Sequence, residues 1–384
     1  MASIDFKHVP YGDLAIIQMR GCEDISAQVD YYLKQWRDIP EEESFVLSAT
    51  CPRFGTGEAK AVLKHTARGL DAYILCDCFN YNVTYKMYGQ TVPMSPDDHY
   101  QDVKRVIAAL GGKARRITVI MPMLYEGRQH RRTSRESMDC AMALQELVSM
   151  GVKNIVTFDA HDPRVNNAIP LDGFDNIHPT YQMIKALLRT VPDIKLDKDH
   201  AMIVSPDEGG MGRCIYYSSV LGLELGMFYK RRNYSVVVNG RNPIEAHQFL
   251  GNDITDKDMI LVDDMISSGD SMLDVAIKLK ERGAKRIFIF STFGLFVEGL
   301  EKFDESYKNG IINKIFTTNL IYQTPELLSR EWYCSVNMSK YVALIVETLN
   351  YDNSISKLLD PVDRINSIVA KYEQEKNQQL PIGW

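Results

Sequence analysis

The sequence predicts an α/β protein built from two doubly wound domains with mainly parallel sheets, and three observations carry that prediction. The first is length: 384 residues exceed what one core ordinarily serves, and a hydrophobic share of 45% supplies apolar side chains for two. The second is a repeated grammar. The segments DVKRVIAALGGKARRITVIMP (102–122), AMALQELVSMGVKNIVTFDAHD (141–162) and MLDVAIKLKERGAKRIFIFSTFG (272–294) each run from an amphipathic helix through Gly and a basic residue into a β-branched strand. Such units form parallel sheets with helices on their faces, and Gly closes each helix because it takes the left-handed cap conformation without strain. The third is that the stretches after the strands, YEGRQHRR, DAHD, SPDEGG, YKRRN and DDMISSGDS, are all polar. In parallel sheets ligands bind beyond the carboxyl ends of the strands, so chemistry is expected there.

The remaining composition narrows the class. A net charge of −6 argues against a nucleic-acid surface, which relies on clustered Lys and Arg. The N-terminal stretch lacks a basic start followed by a long apolar core, and no apolar run reaches membrane-spanning length, so a soluble, cytoplasmic protein with no membrane partner is expected. The seven cysteines are odd in number and scattered over apparent strands and helices, which reads as reduced thiols rather than a disulfide framework. Cys76 and Cys78 lie in AYILCDCF, a buried-strand pattern without the second ligand pair a metal site would need.

The most informative stretch is MILVDDMISSGDSM (259–272). Met259 to Val262 reads as a buried strand and SMLDVAIKLKERGA as a helix, so the intervening loop opens a helix. Its backbone N–H groups, the hydroxyls of Ser267, Ser268 and Ser271 and the freedom of Gly269 suit a phosphate cradle. Asp263 and Asp264 would repel that phosphate unless they accept hydrogen bonds from sugar hydroxyls or hold a metal ion, and a ribose 5-phosphate offers both ends at once. The plainer reading is that Ser268, Asp270 or Ser271 caps the helix and the acids end a strand. Lys230, Arg231 and Arg232 follow the strand LGMFY; they are either an exposed basic strand end or fixed charge for a transition state in which negative charge spreads. His161, between Asp159 and Asp162 at a strand end, is either structural or a divalent-metal ligand.

Taken together, ILVDDMISSGDS, RFGTGEAKAVL, GRQHRR, VTFDAHD, IVSPDEGG, YKRRN and TTNLIYQTPE resemble, in kind and order, the ribose-phosphate pyrophosphokinase family over residues 22–359. That resemblance implies two phosphoribosyltransferase-type domains, residues 1–175 and 176–349, with 350–384 packing back on the first. It implies synthesis of 5-phosphoribosyl 1-diphosphate and AMP from ATP and ribose 5-phosphate, with Mg²⁺ as cofactor. Lys230 and Arg232 then match the catalytic pair, at the base of a loop formed by NYSVVVNGRNPIEAHQF. Asp207, Asp263, Asp264, Ser267, Ser268, Gly269, Asp270 and Ser271 match the ribose 5-phosphate site. Arg128 and Gln129 match the pair near the ATP phosphates and purine, and His161 with Asp207 matches the magnesium ligands. Phe54, Thr56 and Glu58 fall on the segment that in the family reaches into a neighbouring subunit's ATP pocket, where Phe54 stacks on adenine and Glu58 accepts its hydrogen bond. A homo-oligomer of dimers, up to a hexamer, is implied with it.

The sequence also departs from that pattern. His130 replaces the usual Asp, Thr56 the usual Asn or Asp, Ser268 and Ser271 the usual Thr, and Ser267 a common Asp. The segment NYNVTYKMYGQTVPMSPDD (80–98) is longer than the family's turn, and the chain continues past SISKLLD to Trp384. Two rivals remain at this point: a non-catalytic relative that binds the same ligands, and a phosphoribosyltransferase that consumes the diphosphate. The first is expected to lose the lysine or the metal site, whereas Lys230, Arg232, His161 and Asp207 are all present. The second gives no reason for the two-domain repeat with RFGTGE and GRQ.

Overall fold

The computed structural model describes residues 9–232 and 244–379, with the side chains of 230–232, 244–247 and 377–379 outside that description. The chain divides into two compact units. One comprises Met1–His178, Asn319–Tyr322 and Asn337–Asp360; the other comprises Pro179–Thr318, Gln323–Val336 and Pro361–Trp384.

The first unit holds β1 (Asp13–Gln18), β2 (Val46–Thr50), β3 (Val62–Leu63), β4 (Leu70–Leu75), β5 (Thr84–Met87), β6 (Gln90–Pro93), β7 (Arg116–Ile120), β8 (Asn154–Phe158) and β9 (Gly173–Ile177). Its main sheet runs β3-β2-β1-β4-β7-β8-β9, parallel except for β3, while β5 and β6 form a separate hairpin. Strand order reverses between β1 and β4, the arrangement in which a crevice opens at the carboxyl ends. β4 and β7 are apolar on both faces because helices cover both. Helix Pro96–Leu110 starts from a capping box, Ser95 accepting from the Asp98 N–H and Asp98 from the Ser95 N–H, and ends on Gly111 at φ 49°.

The second unit holds β10 (Ala201–Ser205), β11 (Glu224–Arg232), β12 (Ile244–Leu250), β13 (Asp258–Ile266), β14 (Arg286–Gly294), β15 (Lys314–Thr318) and β16 (Tyr333–Val336), in the order β12-β11-β10-β13-β14-β15-β16. All pairings are parallel except β11 with β12. The reversal of order falls between β10 and β13. Residues expected to cap the repeated helices do so: Gly111, Gly151 and Gly283 have φ of 49°, 98° and 90°. Both sheets are mainly parallel and helix-covered, the architecture read from the repeated grammar.

The sequence placed 350–384 on the first domain. Residues through Asp360 group with the first unit, but helix Val362–Gln379 packs on helices Thr180–Thr190 and Met211–Leu221 of the second. The cause is its apolar stripe: Ile365 is fully buried in that unit's core, with Ile368, Val369 and Tyr372 against it, and the Tyr372 hydroxyl donates to Pro192 O at 2.7 Å. All seven cysteines are unpaired as disulfides, as the sequence implied. Among the described residues, no helix is long and apolar enough to cross a membrane.

Candidate active site

In the second unit, three adjacent strands deliver the predicted residues to one edge of the sheet. β10 is flanked by β11 and β13, with Ser205 paired to Met227 and Val204 to Leu261. The chain beyond Ser205 carries Asp207, the end of β11 carries Lys230 and Arg232, and the end of β13 carries Asp263 and Asp264. The side chains of Lys230 and Arg232, and residues 233–243 of the predicted loop, lie outside the described residues. β12 returns antiparallel to β11.

Asp207 shapes the turn that leads into helix Met211–Leu221. Its Oδ1 accepts from the N–H groups of Gly209, 2.9 Å, and Gly210, 3.2 Å, and Ser205 Oγ donates to its carbonyl at 2.7 Å. Its other carboxylate oxygen makes no hydrogen bond among the described residues.

β13 runs to Ile266 rather than ending at Val262, so both acids lie within the strand. Alternation sends them to opposite faces: Asp264 is 4% exposed, and the Asp263 side chain is 25% exposed. Asp263 accepts from the Asp264 N–H at 2.9 Å and stands 3.8 Å from Arg213 Nη1. Burial, and then the neighbouring Asp264 carboxylate, push the Asp263 carboxyl well above the ordinary carboxylate range. A carboxyl whose ionisation is opposed in this way repels an incoming phosphate less than a fully exposed carboxylate would.

The loop 267–269 then turns into helix Asp270–Glu281, one residue earlier than the pattern indicated. Gly269 has φ 91°, and a Cβ there would stand 2.9 Å from Phe303 Cε1, so the turn requires glycine on both counts. Ser268 Oγ donates to Asp270 Oδ2 at 3.0 Å. Lys302 pairs with the other oxygen of Asp270, whose carboxyl lies below its ordinary value through the Lys302 and then the Ser268 hydrogen bonds.

In the first unit, the residues after β7 and β8 gather around two histidines. The rings of His130 and His161 lie 5.4 Å apart, and His130 Nε2 is 3.5 Å from Asp162 Oδ2. Asp162 also accepts from the Arg164 N–H at 2.9 Å and is gripped by its guanidinium; chiefly because of those side-chain bonds its carboxyl falls to about 2. His161 is exposed at the end of β8. The backbone there is strained: Asp159 and Glu126 hold φ of 43° and 55°, unusual for residues with a side chain and concentrated at functional loops. Arg128 is exposed, whereas Gln129 is turned onto its own loop, its Nε2 donating to Ser137 O at 2.9 Å. Phe54, Thr56 and Glu58 share a closed loop beyond β2, with Phe54 N donating to Glu58 O at 2.7 Å and Thr56 Oγ1 to Glu58 Oε2 at 2.9 Å. Phe54 is 55% exposed, unusual for an aromatic side chain in so tight a loop.

Residues 14–151 match the model of the N-terminal domain of ribose phosphate pyrophosphokinase, and residues 236–360 match that of the phosphoribosyl synthetase-associated domain. The chain belongs to the ribose-phosphate pyrophosphokinase family. Relatives named ribose-phosphate pyrophosphokinase include one from Vibrio parahaemolyticus, 26% identical over 81% of this chain and 91% of its own length. Another, from Ureaplasma parvum, is 31% identical over 55% of this chain and 61% of its own. A crystal structure of phosphoribosylpyrophosphate synthetase from Mycobacterium smegmatis has the same fold, with a TM-score of 0.71 at 20% identity, covering 89% of this chain and 100% of that one.

Within that family pattern the structure adds residues the sequence did not offer. Arg213, facing Asp263, sits in the helix MGRCIYYSSVL, where nothing in spacing or composition sets it apart. Phe303, which enforces Gly269, looks like an ordinary core aromatic. His130 was visible as a departure, but its approach to Asp162 and His161 was not.

Proposed function

We propose that this chain is a ribose-phosphate diphosphokinase. The C1 hydroxyl of ribose 5-phosphate attacks the β-phosphorus of ATP, the bond from that phosphorus to the oxygen of the α-phosphate breaks, and AMP leaves as the diphosphate moves intact to the sugar. The observation that carries the reading is the convergence of Asp207, the last residues of β11 and the 263–271 segment on one edge of a single sheet.

In this reading the main-chain amides of 267–271, with Ser267, Ser268, Gly269 and Ser271, hold the 5-phosphate at a helix N-terminus. Asp263 accepts from the ribose hydroxyls, with Asp207 just beyond the end of the neighbouring strand, while Asp264, buried on the opposite face, acts through Asp263 rather than on the sugar. Asp270, already paired with Lys302, helps fix the loop rather than meeting the phosphate directly. Lys230 and Arg232 neutralise the diphosphate in the transition state, a point charge and a planar fork on the same strand. Arg128 meets the ATP phosphates, Gln129 holds the shape of the loop beside it, and Phe54, Thr56 and Glu58 meet the purine.

Each expected donor, taken within its own unit, has the chemistry a magnesium ion accepts: Asp207 keeps one carboxylate oxygen unbonded among the described residues of the second unit, His161 is exposed beyond a strand end of the first, and Mg²⁺ takes few protein ligands with waters and phosphate oxygens completing its shell. When bound, it would screen the triphosphate's charge and polarise its oxygens. No covalent enzyme intermediate is needed, since orientation and fixed charge supply the acceleration.

The test is release of AMP from ATP and ribose 5-phosphate in the presence of magnesium, with label in the β-phosphate of ATP recovered on the sugar. Folded protein that forms no AMP would leave the non-catalytic reading standing. Lys230→Ala should lower kcat by roughly a hundredfold to a thousandfold with little change in KM, the pattern of a group that acts in the transition state.

A further inference from the structure

The inserted segment 80–98 folds into the β5–β6 hairpin, closed by Tyr88 and Gly89 at φ 49° and 78°, the two positive values a tight two-residue turn demands. This hairpin is docked on the 54–58 loop. The Tyr88 N–H donates to Gly55 O at 2.8 Å, and a Cβ at Gly57 would lie 2.9 Å from Met87 Sδ and 3.7 Å from Tyr85 Cε2. Arg53, immediately before the loop, lays its guanidinium over the Tyr85 ring at 4.8 Å. It is held there by two hydrogen bonds to Asp102, 2.7 and 2.9 Å, with both side chains 5% exposed. The hairpin's outer end is fixed in turn: Arg20 Nη2 donates to Thr84 O at 2.9 Å, and the Tyr85 hydroxyl donates to Asp98 at 3.3 Å.

We propose that the β5–β6 hairpin is a brace for the purine-contacting loop, with Met87 and Tyr88 as positioning residues that hold 54–58 in its binding conformation before nucleotide arrives. This rests on the reading that Phe54 and Glu58 meet the purine. A five-residue loop containing Gly55 and Gly57 has many conformations of its own, and apparent affinity falls in proportion to the fraction that is competent. Met87 and Tyr85 fill the space that a side chain at Gly57 would take, the Tyr88 N–H ties down the Gly55 carbonyl, and the Phe54, Thr56 and Glu58 side chains remain exposed. Affinity is thereby gained through preorganisation without any hairpin atom touching the nucleotide.

The experiment removes the brace from the otherwise intact chain. Thr84 and Pro93 face each other across the hairpin, so Gly-Gly can replace residues 85–92 without stretching the flanks. KM for ATP should rise roughly tenfold while KM for ribose 5-phosphate stays within about twofold. Met87→Ala should give a smaller rise of the same kind, reversed by Met87→Leu, and it decides the matter if the excised chain does not fold. An ATP KM within twofold of the parent in the folded variants overturns the brace, as does an equal rise in both KM values. Phe54→Ala separates the two readings. If Phe54→Ala raises KM for ATP and loss of the hairpin does not, only the brace fails; if Phe54→Ala has no effect, the purine assignment fails and the brace with it.

Discussion

The two sheets are built alike at one end and differently at the other. At the amino-terminal edge of the first, Asp71, the second residue of β4, pairs in register with Arg116, which opens β7; at the same edge of the second, Asp258 opens β13 and pairs with Arg286, which opens β14. Each pair is a double hydrogen bond, 2.8 and 2.7 Å in both units. At the carboxyl edge the same strands diverge. β4 continues into buried Cys76, Asp77 and Cys78 and then the hairpin, whereas β13 continues through Asp263 and Asp264 into the loop that opens a helix. The difference shows what each edge is for. Where carboxylate and guanidinium satisfy each other, no capacity is left for a ligand; where serines, glycine and backbone amides end a strand, that capacity is kept.

Breaking either clamp should have the largest effect on stability and none on substrate binding. Asp71→Ala or Asp258→Ala removes two charge-assisted hydrogen bonds from a largely buried guanidinium and leaves it only its more exposed partner, Asp352 or Asp193, which costs about 3–5 kcal/mol. Asp71→Ala should be the worse, because the Asn350 amide and the Tyr73 hydroxyl also donate to that carboxylate. Urea unfolding measures both, alongside KM for each substrate. A loss under 1 kcal/mol, or a changed KM in a variant that remains folded, would show that this edge is not the purely structural one.

Next comes the carboxyl edge of the second unit. Gly269→Ala puts a side chain into a left-handed residue and against the Phe303 ring, about 2–4 kcal/mol of strain and overpacking together. Part of it should appear as a higher KM for ribose 5-phosphate, since the loop can relieve the clash only by distorting the cradle. Unchanged ribose 5-phosphate kinetics in Gly269→Ala would sink the assignment of this loop.

The first unit offers a different probe at the matching place. Asp77 is 5% exposed and accepts from the N–H groups of Phe79, 2.9 Å, and Tyr322, 2.7 Å, yet burial raises its carboxyl to about 6. A group held above its unfolded value binds its proton more tightly in the folded chain, so stability increases as pH falls from about 7 to about 4. The contribution approaches about 3 kcal/mol, at 1.36 kcal/mol per unit. Asp77→Asn should flatten that slope in urea titrations across this range. The amide keeps only one acceptor for two N–H groups, so its stability at pH 7 should stay near the parent's.

How much of this the sequence disclosed follows from the range of each interaction. The repeated helix, Gly, strand units were legible because periodicity and left-handed caps are local, and the 267–271 turn into a helix could be singled out as a candidate cradle because its hydroxyls and glycine lie close together in sequence. The clamps were not: their partners lie 45 and 28 residues apart, and an Asp or Arg opening a strand gives no local sign of a mate. The same holds for Arg213 opposite Asp263 and for Lys302 on Asp270. The final helix was assigned to the wrong unit's surface for a related reason. Its stripe at Ile365, Ile368, Val369 and Tyr372 says that it packs, but not on what. The hairpin was recognisable as extra length in 80–98, while its seat on Gly55 and Gly57 depends on a fold no local pattern encodes.

The smallest predicted effect tests whether shape or conformation makes the glycines necessary. Gly89 and Gly269 have similar φ, 78° and 91°, but no atom lies within 4 Å of a Cβ built at Gly89, whereas Gly269 faces Phe303. Gly89→Ala therefore isolates the conformational cost, about 1 kcal/mol, and Gly89→Asn should recover most of it because Asn tolerates the left-handed region. If the steric account of Gly269 is right, Gly269→Asn recovers nothing, since its side chain meets the same ring. Equal rescue by Asn at both positions would mean that backbone conformation alone governs the cradle, and that Phe303 yields to whatever is placed against it.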